Sequence, residues 1–281
     1  MQQTMDQVLA VADAAIRLPR SALQIYDLAQ NPEVKKRDLV AAIETDPAFA
    51  SRLLRMANSP IYSGRIEVTN LNQAILTVGN REIAQLALVL ATSSEFSKLE
   101  TELLHLTSFW SHSLTTAVLA RKIVKKVGGM SGDVFCAALL HDLGQLVLFH
   151  TCTSQMTDVL EQSLDDENSD LASVEQRILG FDHTRVGEKL AINWGLPDVI
   201  VATIRYHHDP MLTDRHHQTV AAVAYANSLE ANGLSMAGSL PDLSVPFLTQ
   251  VETMLGPDYE SYASLLEESQ EEANGLLSFF C

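Results

Sequence analysis

The sequence predicts an all-α protein, and three observations carry that prediction. Apolar residues recur at spacings of three and four along most of the chain, which lines one face of an α-helix. No stretch shows the strict apolar–polar alternation of a half-buried strand. The periodic segments are separated by helix-start residues and by glycine and proline breaks.

Taken in order, the first clear stripe is Leu39, Val40 and Ile43, followed by Leu53 and Leu54. Asp38 precedes the first run as a start signal, and Asp46-Pro47 supplies a cap followed by a proline in the first turn. Asn58-Ser59-Pro60 and Ser63-Gly64 break the chain. Ile75 and Val78 form the next stripe; after Gly79-Asn80 come Ile83, Leu86 and Leu90. FWSHSLTTAVLARKI (109–123) is a clean helical run that ends near Gly128-Gly129, and AALLHDLGQL (137–146) is apolar around a polar pair. SLDDENSD (163–170) reads as a loop or a solvated helix end. Gly195-Leu196-Pro197 and Asp209-Pro210 are further breaks, and glycine, serine and proline gather again over 231–246. Two more helices are expected at Phe247–Leu255 and Tyr259–Glu272, followed by LLSFFC (276–281), whose apolar residues must cover the chain's own core or a partner. No repeat of solenoid period stands out.

With 281 residues and 47% hydrophobic residues the chain can bury a sizeable core. A formal net charge of −16 opposes broad binding to nucleic acid or to anionic membrane. Arg121, Lys122, Lys125 and Lys126 form a basic strip on one helix, read as a solvated face. Cys136, Cys152 and Cys281 have neither zinc-type spacing nor an even count, which points to a reducing compartment, with Cys136 as a small core residue. The N-terminus lacks the pattern of a signal peptide, and the longest apolar stretch, IAQLALVLA (83–91), is far short of the roughly 20 residues of a membrane span. A cytoplasmic, soluble protein is expected.

Nine histidines are present, and a subset forms a pattern: His112 in the clean helical run, His141-Asp142, His183 in GFDHTRVGEKL, and His207-His208 in IRYHHDP, with Asn227 in AAVAYANSLEANG as the last candidate. Neutral imidazole and carboxylate are good ligands for iron, manganese, nickel or zinc rather than calcium. Neighbouring residues on a helix point about 100° apart, so His141-Asp142 and His207-His208 can each converge on one ion beside a helix buried in a bundle. His105, His150, His216 and His217 carry no such pattern.

These residues resemble the HD superfamily of metal-dependent phosphohydrolases. The longer series LPRSALQIYDLAQNP, AAIETDPAFASRLLRMANSPIYSG and VTNLNQAILTVGNREIAQLAL, with FWSHS, ALLHDLGQL, DHTRVGEKLAINWGLPDVI and YHHDP, is similar to the HDOD family of HD-related output domains in bacterial signalling proteins. The resemblance covers residues 14–230. It implies an N-terminal helical subdomain (about 14–100) packed on an HD-like bundle (about 101–230), leaving 231–281 as a C-terminal helical extension. Carried over residue by residue, His112, His141 and Asp142 match the HD ligands, Asn227 falls where the superfamily has its final aspartate, and His183, His207 and His208 resemble the extra ligands of the HD-GYP branch. That branch carries a lysine where this chain has Gln145, and its Gly-Tyr-Pro signature is absent after His208.

Two functions follow from the resemblance. The first is a signalling or regulatory module, with a divalent metal site of one or two ions and a signalling protein partner. The second is a metal-dependent phosphohydrolase acting on a nucleotide or other phosphate ester, with Asp142 ligating and orienting water and Arg185 and Lys189 holding phosphate. Neither reading requires nucleic acid or membrane as a partner.

Overall fold

In the computed structural model, which describes residues 3–16, 18–31, 33–59, 61–62, 67–97, 105–129, 133–165, 170–213, 215–232 and 245–280, every regular element is a helix. The chain opens with α1 (Met5–Ala15), α2 (Arg20–Gln30), α3 (Lys36–Glu44) and α4 (Pro47–Ala57). Thr4 and Gln7 form a capping box at the start of α1. Asp46 caps α4 by accepting a hydrogen bond from the Phe49 N–H at 3.0 Å, with Pro47 in the first turn as expected. Asp38 does not precede its helix: α3 starts at Lys36, and Asp38 lies in its first turn, where its charge faces the positive end of the helix dipole.

Helices α5 (Leu71–Val78) and α6 (Asn80–Phe96) are bent by 105° at Gly79, whose φ of +94° favours a residue without a Cβ. The long α6 is the spine of this half of the molecule. It packs on α2 and α4 and buries Ile83, Leu86, Leu90 and Phe96.

The second half comprises α7 (Leu106–Lys126), α8 (Val134–Leu139), α9 (Leu143–Thr151), α10 (Thr153–Asp165), α11 (Leu171–Leu179), α12 (His183–Asn193), α13 (Asp198–Tyr206), a 3₁₀ turn at Pro210–Leu212, and α14 (His217–Asn232). It is followed by α15 (Val245–Leu255), a 3₁₀ segment (Tyr259–Leu265) and α16 (Leu266–Leu277). The single helix expected over 259–272 is therefore split into a 3₁₀ and an α part. Of the acidic stretch 163–170, α10 takes the start and Asp170 caps α11, while 166–169 lie outside the described residues. Residues 233–244 of the Gly/Ser/Pro-rich stretch also lie outside them.

Helix α7 packs against α8, α14 and α16; α12 packs on α9 and α13. Cys136 and Cys152 are buried and free. The run Val134–Thr151 has the length and apolarity of a membrane span, but it is broken between α8 and α9 and 83% of it is buried inside the fold.

Each end of the described chain makes a contact with the opposite half. Helix α1, ahead of the expected domain start, lies against α9 and α12, and Asn193 donates to Asp13 at 3.3 Å. Helix α16 lies along α7. Beyond it Phe280 is buried against Trp110, ring centroids 5.3 Å apart, and Arg55 of α4 stacks over Phe279 at 5.1 Å. The LLSFFC tail thus covers the chain's own core; Cys281 lies outside the described residues. The basic strip of α7 is not simply a solvated face. Lys122 pairs with Glu268 and Glu272 of α16 at 3.2 and 2.8 Å, Lys126 sits 5.8 Å over the Tyr262 ring, and Arg121 stacks over Tyr62 at 5.0 Å. Lys125 is exposed.

Candidate metal centre

The polar pair in AALLHDLGQL is placed by a break in a helix rather than by a helix face. Helix α8 ends at Leu139 and α9 begins at Leu143; Leu140 (φ −104°, ψ 4°) and Asp142 (φ −98°, ψ 18°) occupy the bridge region between them. His207-His208 likewise follow the end of α13 rather than lying within it. On a continuous helix, adjacent side chains diverge by about 100°. A turn lets both members of each pair approach one point, and this corrects the helical placement expected from the periodicity.

Asp142 is the hub. Its Oδ2 lies 3.2 Å from His141 Nε2 and 3.6 Å from His112 Nε2; its Oδ1 lies 3.4 Å from both His183 Nε2 and His207 Nε2. The other nitrogen of each ring is already engaged. His141 Nδ1 donates to the Ala138 carbonyl at 2.6 Å and His207 Nδ1 to the Ile204 carbonyl at 3.0 Å. Glu175 Oε2 accepts from both the backbone N–H and the Nδ1 of His183, each at 2.7 Å, and Glu230 accepts from His112 Nδ1. With each Nδ1 turned to a carbonyl or carboxylate, Nε2 is the atom each ring presents to Asp142. His183 Nε2 and His208 Nε2 are 3.1 Å apart.

His141, His183, His207 and Asp142 are buried, whereas His112 is half-buried and His208 exposed. Burial alone would raise the Asp142 carboxyl; the rings of His141, His112 and His207 outweigh it and hold the group well below the usual carboxylate range. Burial lowers His112, but Asp142 and Glu230 win and push it up to about 10. Burial also lowers His183, yet Glu175 raises it to about 9. At His207 burial prevails over the attraction of Asp142, and the ring falls to about 4.

A cation fits this arrangement. His141 Nε2, His207 Nε2 and Asp142 Oδ1 are buried without a hydrogen-bond partner, and such groups are costly to leave unmatched. All three present lone pairs, so the group that satisfies them together is an electron-pair acceptor. Two sets of ligand atoms, each within 4.8 Å of one another, share Asp142: one with His112 and His141, the other with His183, His207 and His208. The carbonyls and carboxylates on the Nδ1 atoms are the outer partners that fix ring orientation in metal sites. The nitrogen-rich donor set suits a transition metal.

The cluster opens into a cleft of about 460 Å³, lined by His112, Asp142 and His208 together with Gln145, Asp170 and Asn227. Asn227 is thus a half-buried wall residue beside the ligands. Arg185 and Lys189 are exposed and do not line the cleft. At about 100° per residue they lie roughly 200° and 240° round α12 from His183, on the far side of the helix. Glu175 and Glu230 went unnoticed in the sequence. Glu175 had a signal: with Leu171, Val174 and Ile178 it stands on the apolar stripe of α11, where a carboxylate needs a reason. Glu230, among the mostly apolar residues of α14, had none.

The approach of α12 to α9 depends on two glycines. A Cβ on Gly144 would stand 1.9 Å from the His183 carbonyl oxygen and 2.8 Å from the Gly187 nitrogen. This contact brings His183 to Asp142.

Known proteins share this architecture. A protein of Shewanella amazonensis SB2B, named provisionally as a phosphohydrolase, superposes with a TM-score of 0.77 at 20% identity, covering 99% of this chain and 100% of its own. An HDOD domain protein of unknown function from Geobacter sulfurreducens gives 0.76 at 24% identity, covering 97% of each chain. At these identities both testify to the fold. In sequence, an uncharacterised protein of Treponema pallidum (strain Nichols) is 27% identical over 214 residues, 75% of this chain; the chain spans 41% of that relative's length. The HDOD domain family itself matches residues 16–210, more than half of the sequence and all of the ligand cluster. The chain belongs to the HDOD family.

Proposed function

We propose that this protein is a regulatory HDOD module of the bacterial cytoplasm. Its His/Asp cluster holds one or two transition-metal ions, and its output passes to a signalling protein partner rather than through turnover. One observation carries the reading: the imidazoles are arranged as ligands, yet the cleft they open into has no lysine or arginine among its described lining residues. The stretches flanking it in sequence, DENS (166–169) and GLSMAGSLPDLS (233–244), contain no lysine or arginine either. Phosphoryl transfer develops negative charge that enzymes meet with arginine or lysine as well as metal. In this reading residues 14–100 and 101–230 act as one HDOD unit, with 231–281 as its helical extension.

A second reading, hydrolysis of a nucleotide or other phosphate ester, is favoured by the openness of the site. His112 and His208 stand at the cleft, whereas structural metal sites are closed. A bound metal would lower the pKa of its water and polarise a phosphoryl oxygen. The chain's own contribution would be Asp142 as hub and the Gln145 and Asn227 amides as donors to ester oxygens.

Elemental mass spectrometry on protein expressed with iron, manganese, nickel or zinc, wild type and His141→Ala/Asp142→Ala, tests the metal centre. Near-stoichiometric metal lost in the double variant is expected. A phosphomonoesterase and phosphodiesterase screen on the loaded protein separates the two readings. The regulatory reading expects no turnover; turnover that disappears with Asp142→Ala replaces it with the second.

A further inference from the structure

Away from the metal centre, a polar cavity of about 250 Å³ lies where α4, the end of α6 and the segment after α16 meet. Its walls carry Arg52 and Arg55 with Ser93, Ser94, Ser97 and Ser278. Arg52 donates to Ser94 Oγ at 2.5 Å and lies 3.5 Å from the Leu90 carbonyl oxygen, and Arg55 stacks on Phe279. Neither arginine pairs with a carboxylate among the described residues, in a chain holding 35 acidic against 19 basic residues. The helix ends nearby oppose an anion. Three C-termini, of α4 (whose last turn carries Arg55), α6 and α16, contribute roughly −0.5 charge each, which leaves the two guanidinium groups a net excess of about half a positive charge.

Arg52 and Ser94 also line a second cavity of about 100 Å³, whose other walls include Ala22, Ile25, Phe49, Ala87 and Leu90. The carboxylate there, Asp46, is turned to the Phe49 N–H and to the Ser21 hydroxyl. A cationic, hydroxyl-rich cavity thus meets a small apolar one at a shared Arg–Ser pair.

We propose that the two cavities form a binding site for a phosphate monoester with a short apolar body, the phosphate on Arg52, Arg55 and the hydroxyls of Ser94 and Ser278 and the apolar body between α2, α4 and α6. Guanidinium groups match phosphate bidentately, and the hydroxyls of Ser94 and Ser278 add donors, whereas those of Ser93 and Ser97 already donate to the Leu90 and Ser94 carbonyls. The site has a line to the metal centre. Arg55 holds Phe279; its neighbour Phe280 packs on Trp110, two residues before His112 on α7.

The test uses the full chain, stripped of metal by chelation so that no cation in the metal centre captures phosphate. Trp194→Phe leaves Trp110 as the sole tryptophan. Butyl phosphate, inorganic phosphate and 1-butanol are titrated by calorimetry and by Trp110 emission. Butyl phosphate is expected to bind one to one with a saturable emission change, inorganic phosphate more weakly, and butanol not at all. Arg55→Gln, at an exposed position and with an unchanged melting temperature, weakens butyl phosphate by about tenfold or more. Arg52→Gln does the same if it folds. The absence of saturable binding by either phosphate overturns the proposal, as does equal affinity in Arg55→Gln, which would put the anion elsewhere. Equal affinity for both phosphates overturns the apolar half.

Discussion

His183 concentrates the chemistry of the site at one residue: its backbone N–H and its Nδ1 both rest on Glu175, which fixes the ring and leaves Nε2 to Asp142. Removing that outer carboxylate in Glu175→Ala is expected to weaken metal binding about 10–100-fold, read by competition with a chromogenic chelator. The titrations have opposite signs. His112 and His183, raised to about 10 and about 9, stabilise the metal-free fold below the unfolded value of about 6.5, and this is lost as pH rises through 9 to 10. His207, lowered to about 4, contributes above about 6.5 and loses it as pH falls toward 4. A ligand nitrogen must shed its proton to bind a cation. Zinc binding at pH 7 should therefore release one to two protons per chain from His112 and His183, read by calorimetry in buffers of different ionisation enthalpy; no release would contradict the ligand assignment.

At the scale of elements, the contact between α9 and α12 sets the site. Gly144→Ala, with its Cβ against the His183 carbonyl, should cost about 1–3 kcal/mol and weaken metal binding as α12 is pushed out. Gly275→Ala in α16, where a Cβ meets nothing within 4 Å, should gain about 0.5–1 kcal/mol. Urea unfolding of both variants checks the pair. The elements themselves were legible: the Asp46-Pro47 start, the Gly79 break and the stripe of α6 were all plain in the chain. The break at His141-Asp142 was not. Leu139, Leu140 and Leu143 keep helical spacing across it, and periodicity does not register a three-residue turn whose neighbours remain buried on both sides. For the same reason the candidate ligand histidines were visible by type, while the carboxylates behind them, Glu175 and Glu230, depended on contacts distant in sequence.

At the scale of the whole molecule, the chain does not divide cleanly at 100. α1 belongs spatially to the bundle that follows, and the residues after α16 reach back to α4. Composition gave no hint of this exchange, because α16 is amphipathic in the ordinary way and its target, the Trp110 face of α7, is known only from packing. Phe280→Ala in the Trp194→Phe background is expected to cost about 3–5 kcal/mol and to lower stability in both halves together, seen as one cooperative urea transition monitored by Trp110 emission and far-ultraviolet dichroism.

The lid that α16 forms over α7 also orders events during synthesis. Translation runs at about 5–20 residues per second, so roughly 10–30 s separate the emergence of α7 from that of α16. Throughout that interval the Trp110 face of α7 has no cover. A chain ended between α14 and α16 would carry every candidate metal ligand and still be open along α7, the longest of the described helices.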